Sequence, residues 1–416
     1  MQLHPALVLG LVASTLLAQD ERRHGDGPHR GLPRDPAAHA PYSSDADHPA
    51  NRVFRLLWLR HMAPAEVAAT VDTEPMQWTE GWVHRKRTGT PDDAHWFGGD
   101  GRLLPLEGLG DAEAAALKPL LAKLRGDAKV ASPSLQILLQ HDLLRAAERL
   151  QDVERNLDLV PELLATAQAL ALPAAELDRI GNPLAETIAV DNELRAALPK
   201  ALGGTDPDLR EVVRKSTRLF DAEKTLLWSR VFLAHPDGEK ALAALLPAAR
   251  PGQKTGPDVP IGMRAVLVQG IVAMDATGAP RATPLVLEVR TQRLANRDGL
   301  AADNATWTHD GIDFAIWQLE RQGARSGAAQ QFYRRIVADD HDLFRDYGTA
   351  KYTTYRGQCS LCHRLTDTPE PQLGGFPVLR PHVLAAFATT GEERLRLAEE
   401  QAAKLFAKLT AVRPPK

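Results

Sequence analysis

The sequence predicts a mainly α protein, with a helical bundle region, a small β-hairpin element and a short helical segment at the C-terminus. Three patterns carry that expectation. Leu117, Leu120, Leu121 and Leu124 fall at i, i+3, i+4 and i+7, the spacing that lines up one helical face. Met263 to Met274 is a nearly continuous apolar run. A turn, Asp275-Ala-Thr-Gly-Ala-Pro280, follows it, and then Leu285, Leu287 and Val289 alternate with Val286, Glu288 and Arg290, which reads as a hairpin. Leu395, Ala398, Ala402, Leu405 and Leu409 form a stripe after the capping-box pattern Thr390-Gly-Glu-Glu393, so the chain closes on a helix.

Taken in order, residues 1–18 hold a short apolar stretch, Ala6 to Ala18, ending in a small residue before the polar Gln19-Asp-Glu-Arg-Arg23. This is the architecture of a signal peptide and implies export, to the periplasm or the exterior, although only His4 stands where Lys or Arg is usual. No later segment approaches the 18 or more apolar residues of a membrane span, so no stable span is expected in the mature chain. Residues 19–50 are rich in Pro, Gly, Asp and His (His24, His29, His39, His48) and poor in large apolar residues. Such a composition buries too little surface to offset its ordering entropy and predicts a disordered linker.

Residues 51–250 read as a mostly helical N-terminal domain. Its first part, with Trp58, Trp78, Trp82 and Trp96, is mixed, but Leu135 to Leu150, Leu159 to Leu172 and Leu209 to Leu233 all have helical spacing. His141-Asp142, inside one of these helices, reads as a surface pair, because adjacent helical positions do not face each other. Pro251-Gly-Gln-Lys-Thr-Gly-Pro257 is a linker by composition. Residues 259–350 then carry the hairpin plus helices, the latter from Ile312, Ile316 and Leu319 at i, i+4 and i+7 and from Phe332 to Ile336.

Charge excludes one class of partner. Lys and Arg total 50 against 53 Asp and Glu, and no long basic run could neutralise a row of phosphates, so nucleic acid is not an expected partner. The sequence also lacks a nucleophile elbow, a phosphate loop and a His-Glu-x-x-His pattern.

The chemistry concentrates in residues 351–416. The chain has only two cysteines, and they occur as Cys359-Ser-Leu-Cys362-His363. With 14 histidines in 416 residues, random placement yields this arrangement in roughly 2 of 10,000 sequences. Two thiols three apart reach the two vinyl groups of one porphyrin edge, and the adjacent imidazole meets the iron from the same face. Here the sequence resembles c-type cytochromes, over five residues and at most the 65 or so around them. The resemblance implies one covalent haem c, with Cys359 and Cys362 as thioether residues, His363 as proximal ligand and a small α-helical cytochrome c-like segment around them. Two other uses of the same residues are a Cys359–Cys362 disulfide and a zinc site of both thiolates with His363 and His382.

The distal ligand departs from the family pattern. Small electron-transfer cytochromes usually take a Met downstream of the motif, yet Met1, Met62, Met76, Met263 and Met274 all lie upstream. His382, nineteen residues after His363 in Phe376-Pro-Val-Leu-Arg-Pro-His382, is the downstream side chain of comparable ligand strength. Met274 and His341 are upstream alternatives, and an open sixth position is the third. Tyr333, Tyr347, Tyr352 and Tyr355 precede the motif and either border the haem or pack with their hydroxyls satisfied. The expected function is single-electron transfer with a redox partner protein that the sequence does not name. An open iron site would instead mean a haem enzyme, peroxidase-like, or a ligand sensor, and no haem at all a secreted scaffold.

Overall fold

Leucine spacing locates four of the described helices, whereas the segment Leu209 to Leu233, expected to be helical, contributes strands. The computed structural model describes residues 40–62, 95–98, 109–126, 130, 132–152, 154–214, 226–248, 260–295, 308–309, 312–336, 341–346, 349–354, 384–387 and 392–412. Helix α1 (Pro49–Trp58) starts on a proline, whose fixed φ suits a first turn, and buries Val53, Phe54, Leu57 and Trp58. Helix α2 (Asp111–Gly126) buries Leu117, Leu120, Leu121 and Leu124, the face predicted for it. Acidic residues open it and Lys123 and Arg125 close it, each sign complementing its end of the helix dipole. Helices α3 (Pro133–Asp152) and α4 (Val160–Ala169) follow, and α4 packs against both α2 and α3; α5 (Ala174–Leu177), α6 (Pro183–Val190), α7 (Asn192–Ala197) and α8 (Glu239–Ala248) come next in chain order.

Residues 40–48, at the end of the segment expected to be a disordered linker, belong to the fold. Tyr42 is fully buried. Its backbone N–H donates to Asn51 Oδ1 (2.8 Å), while Asn51 Nδ2 donates to the carbonyls of Ser43 (3.0 Å) and Asp45 (2.7 Å). One buried amide thus stitches the segment to α1.

The expected fold class is overturned by an antiparallel sheet. Strands β1 (Leu59–Met62) and β2 (His95–Gly98) pair with each other. The large sheet uses β3 (Arg210–Arg214), β4 (Leu227–Ala234), β5 (Arg264–Met274), β6 (Pro280–Leu294), β7 (Thr308–His309), β8 (Ile312–Leu319) and β9 (Tyr333–Ile336). Strands β10 (His341–Asp346) and β11 (Thr349–Thr354) form a separate ladder, and β12 (Leu384–Phe387) returns to the large sheet. Its order is β12-β3-β4-β5-β6-β8-β7, with β9 also on β8. The described residues are therefore α+β, not mainly α.

The hairpin expected between Met263 and Arg290 is present as β5 and β6. Asp275 Oδ1 accepts from the N–H of Thr277 (2.9 Å), the Thr277 hydroxyl (2.6 Å) and the N–H of Ala279 (3.0 Å), and Gly278 takes the left-handed φ of 86° that the turn requires. The hairpin does not stand alone. β4 lies on one side and β8 on the other, and both come from segments whose spacing reads as helical. In β8 the residues Phe314, Ile316, Trp317 and Leu319 are all buried. A strand covered on both faces is apolar at successive positions and so satisfies a helical period as well as a strand period.

Because β4 precedes the 251–257 linker and β5 follows it, the two regions share one sheet. The close of the chain joins the same core. Helix α10 (Glu392–Thr410) packs on β4, β5, β6, α3 and α4, and its Glu399 carboxylate accepts from the Ala282 N–H at 2.9 Å. The stripe Ala398, Ala402, Leu405 and Leu409 is buried in the main apolar core, not in a small helical cytochrome-like segment.

Trp228, Phe232, Val266, Val268, Val289 and Trp317 form the sheet's side of that core. At Gly270 a Cβ would lie 2.2 Å from the Trp228 ring, so only glycine lets the indole cross β5 and donate to the Thr283 carbonyl at 2.8 Å. On the opposite face, register aligns Ser229, Gln269, Glu288, Gln318 and Arg334 in one row across five strands. Gln269, Glu288 and Gln318 are buried, and Arg290 bonds Glu288.

Candidate functional site

Cys359, Cys362, His363 and His382 lie outside the described residues, as do Tyr347, Tyr355, Met76 and Met1. The elements that border them are described. The chain approaches Cys359 from the β10–β11 ladder, which runs His341 opposite Thr354 through Asp346 opposite Thr349. It resumes at β12, just after His382, where β12 pairs with β3. In sequence the motif falls between β11 and β12, and α10 follows β12 into the core.

Two of the side chains weighed against the motif have structural roles. Met274 is buried in the apolar core, and its main chain exchanges bonds with Gln140 (N–H to Oε1, 3.0 Å; Nε2 to the carbonyl, 2.8 Å). Tyr333 is buried with its hydroxyl donating to the Val286 carbonyl at 2.7 Å. It is a packed tyrosine with a satisfied hydroxyl, and burial raises its pKa well above the ordinary value. Among the described residues, no three His, Cys, Asp or Glu side chains gather as a metal site, and no helix is long and apolar enough to cross a membrane.

The described residues do contain one concentrated set of titratable groups, which the sequence reading missed. Thirteen of the 20 residues of α3 are buried, including His141 and Asp142, so the expected surface pair is an interior one. The Tyr42 hydroxyl donates to Asp142 Oδ2. Helix α9 (Arg321–Ser326) brings Arg321, whose Nε donates to the Tyr42 oxygen and to Asp142 Oδ2, each at 2.9 Å, while its Nη2 donates to Asp142 Oδ1. The guanidinium also stands over the Phe54 ring, 5.5 Å from its centroid, and Phe54 meets Tyr42 edge-on at 5.7 Å. Three distant pieces of chain, at residues 42, 142 and 321, are closed on one carboxylate.

The protonation states follow from the surroundings. Burial, and then the Asp142 charge, push the Tyr42 pKa well above its ordinary value, so the phenol remains a donor. Burial, followed by the Arg145 and Arg321 charges, holds the His141 pKa well below its ordinary value, so the imidazole is neutral at pH 7. His141 Nδ1 has no hydrogen-bond partner among the described residues. The sequence carries one signal for this cluster: Ile137 and Leu144 lie off the Leu135–Leu139–Leu143 stripe, so apolar residues occupy more than one side of α3.

Compared with protein-family models, curated proteins and solved structures, the chain has no match.

Proposed function

We propose that this protein is an exported, monohaem c-type cytochrome-like electron carrier. Cys359 and Cys362 would hold haem c covalently, and His363 and His382 would ligate its iron. One observation carries the reading: the only two cysteines of the chain stand three apart with a histidine directly after the second. The donor set fits the group, because the two thiols match two vinyl carbons along one porphyrin edge and the imidazole follows from the same face. A disulfide or a zinc site needs no histidine at that place. The apolar stretch in residues 1–18 supports the same reading, since haem c is attached outside the cytoplasm.

When bound, the haem supplies reversible one-electron chemistry at its iron. Cys359 and Cys362 would hold it to the chain in either oxidation state. His363 and His382 would both ligate its iron, which would keep small ligands off and limit rearrangement as the charge changes. Pro377 and Pro381, each with a fixed φ, would reduce the entropy lost in holding His382 there. The partner is a one-electron donor or acceptor protein.

A spectroelectrochemical titration tests the carrier role. The mature wild type is expected to be low-spin, to titrate as a single one-electron couple and to leave carbon monoxide unbound. His382→Ala is expected to become high-spin and to bind carbon monoxide in the ferrous state. A high-spin wild type that binds carbon monoxide would replace the carrier with an enzyme or sensor.

A further inference from the structure

The two faces of the large sheet are covered differently. Helices α3, α5, α6 and α10 pack on one of them through the main apolar core. On the other, the row from Ser229 to Arg334 is joined by two more, because residues two apart on a strand share a face. One places Arg290 between Leu267 and Ile316, and the next places Gln292 between Ala265 and Phe314. Ala265, Gln292, Phe314, Ile316 and Gln318 are all buried, and the three apolar ones stand apart from the main core. Among the described residues, α8 packs on the β4 and β12 end of this second face. Its Glu239 accepts from Arg210 Nε at 2.7 Å, and Arg210 stands opposite Leu233 of β4.

Toward β6 and β8, three buried polar atoms of this face have no partner among the described residues: Arg290 Nη2, Gln292 Oε1 and Gln318 Oε1. Glu288 already takes Arg290 Nε. Together they call for one acceptor and two donors, and leaving them bare in the interior would be costly. A cation would suit the two amide oxygens and repel the guanidinium, and an anion would do the reverse. A polypeptide main chain presents C=O and N–H groups in turn and meets both needs.

Chain topology names that polypeptide. β9, whose Ile336 stands opposite Ile316 on this face, pairs with β8 near one edge of the sheet, and β12 forms the other edge. Between them the chain makes the β10–β11 ladder and then runs through residues 355–383. At the usual strand spacing the two edges are roughly 30 Å apart, a distance that this length of chain spans easily. Helices fill the main face, which leaves the second face for the crossing.

We infer that residues 355–383, which carry the Cys359–His363 motif, lie across this face over β6 and β8. A main-chain carbonyl accepts from Arg290 Nη2, and main-chain N–H groups donate to Gln292 and Gln318. The sheet is then the floor on which the motif rests. The docking does not rest on the haem reading; taken with that reading, it sets the cofactor against the sheet.

Photo-cross-linking of the full chain tests this. p-Benzoylphenylalanine in place of Phe314 stands on the second face, and mass spectrometry identifies the peptide that it links on irradiation. The expected peptide lies within 355–383. A link to another segment, such as 63–94 or 296–307, or to a second copy of the chain would overturn the proposal, as would a folded protein that forms no link. If that replacement does not fold, amide hydrogen exchange of Gln318→Leu against wild type decides. Loss of one hydrogen bond should lower protection within 355–383 about fivefold, with α3 and α10 unchanged. Equal protection in the two proteins, or a loss shared by α3 and α10, would overturn it. Haem attachment is read separately: a chain that links within 355–383 but carries no haem keeps the docking and loses the cytochrome reading, and a haem-bearing chain without the link does the opposite.

Discussion

Truncation of the chain before Glu392 is expected to abolish cooperative folding, although it removes only α10 and the tail. Leu405, Phe406 and Leu409 belong to the core that this helix forms with the sheet and α3–α4, and Ala402 and Ala398, one and two turns earlier, are buried in it too. Each large side chain contributes about 1.5–3 kcal/mol. The truncation also uncovers the surfaces of β4 and β6 beneath them. The sum rivals the roughly 5–15 kcal/mol that stabilises an ordinary fold. Thermal melts followed by circular dichroism separate this from the alternative of a detachable C-terminal haem segment. A truncated chain that melts cooperatively at the wild-type temperature would show that α10 is an appendage.

Arg321→Met should destabilise the protein by about 3–5 kcal/mol, because it leaves the Asp142 carboxylate buried without its cation. Asp142→Leu should cost a similar amount by stranding the guanidinium. The double variant, Asp142→Leu with Arg321→Met, should be less destabilised than the two singles added together, since neither charge is then left alone. Denaturant unfolding of the four proteins gives the coupling. Strict additivity would mean that the pair, for all its bonds to Tyr42, does not act as a unit.

Legibility in the sequence followed burial. Helices with one apolar stripe, such as α2, were visible, and so was the β5–β6 hairpin, whose turn has its own chemistry at Asp275 and Gly278. Elements buried on more than one side were read less completely. In β8 the apolar residues of both faces mimic a helical period, and in α3 the near-complete burial hides which polar residues are inside. Tyr42 could not be placed because its partners lie 100 and 279 residues away, beyond any local pattern. The proposed haem motif is a different case. Covalent attachment would need two thiols and an imidazole at fixed spacing, so Cys359, Cys362 and His363 can be nominated from a single line of sequence, whereas a distal ligand could come from any part of the fold.

Covalent haem attachment is therefore the claim to test first. The protein would be produced in a host with haem c maturation machinery and its pyridine haemochrome spectrum recorded after denaturation and solvent extraction. Wild type should retain one haem per chain with the spectrum of saturated thioether-linked side chains. Cys359→Ala and Cys362→Ala should each shift that spectrum toward a single-thioether haem, and the double variant should lose the haem to the solvent. A wild-type chain that carries zinc, or no cofactor, under these conditions would contradict the account.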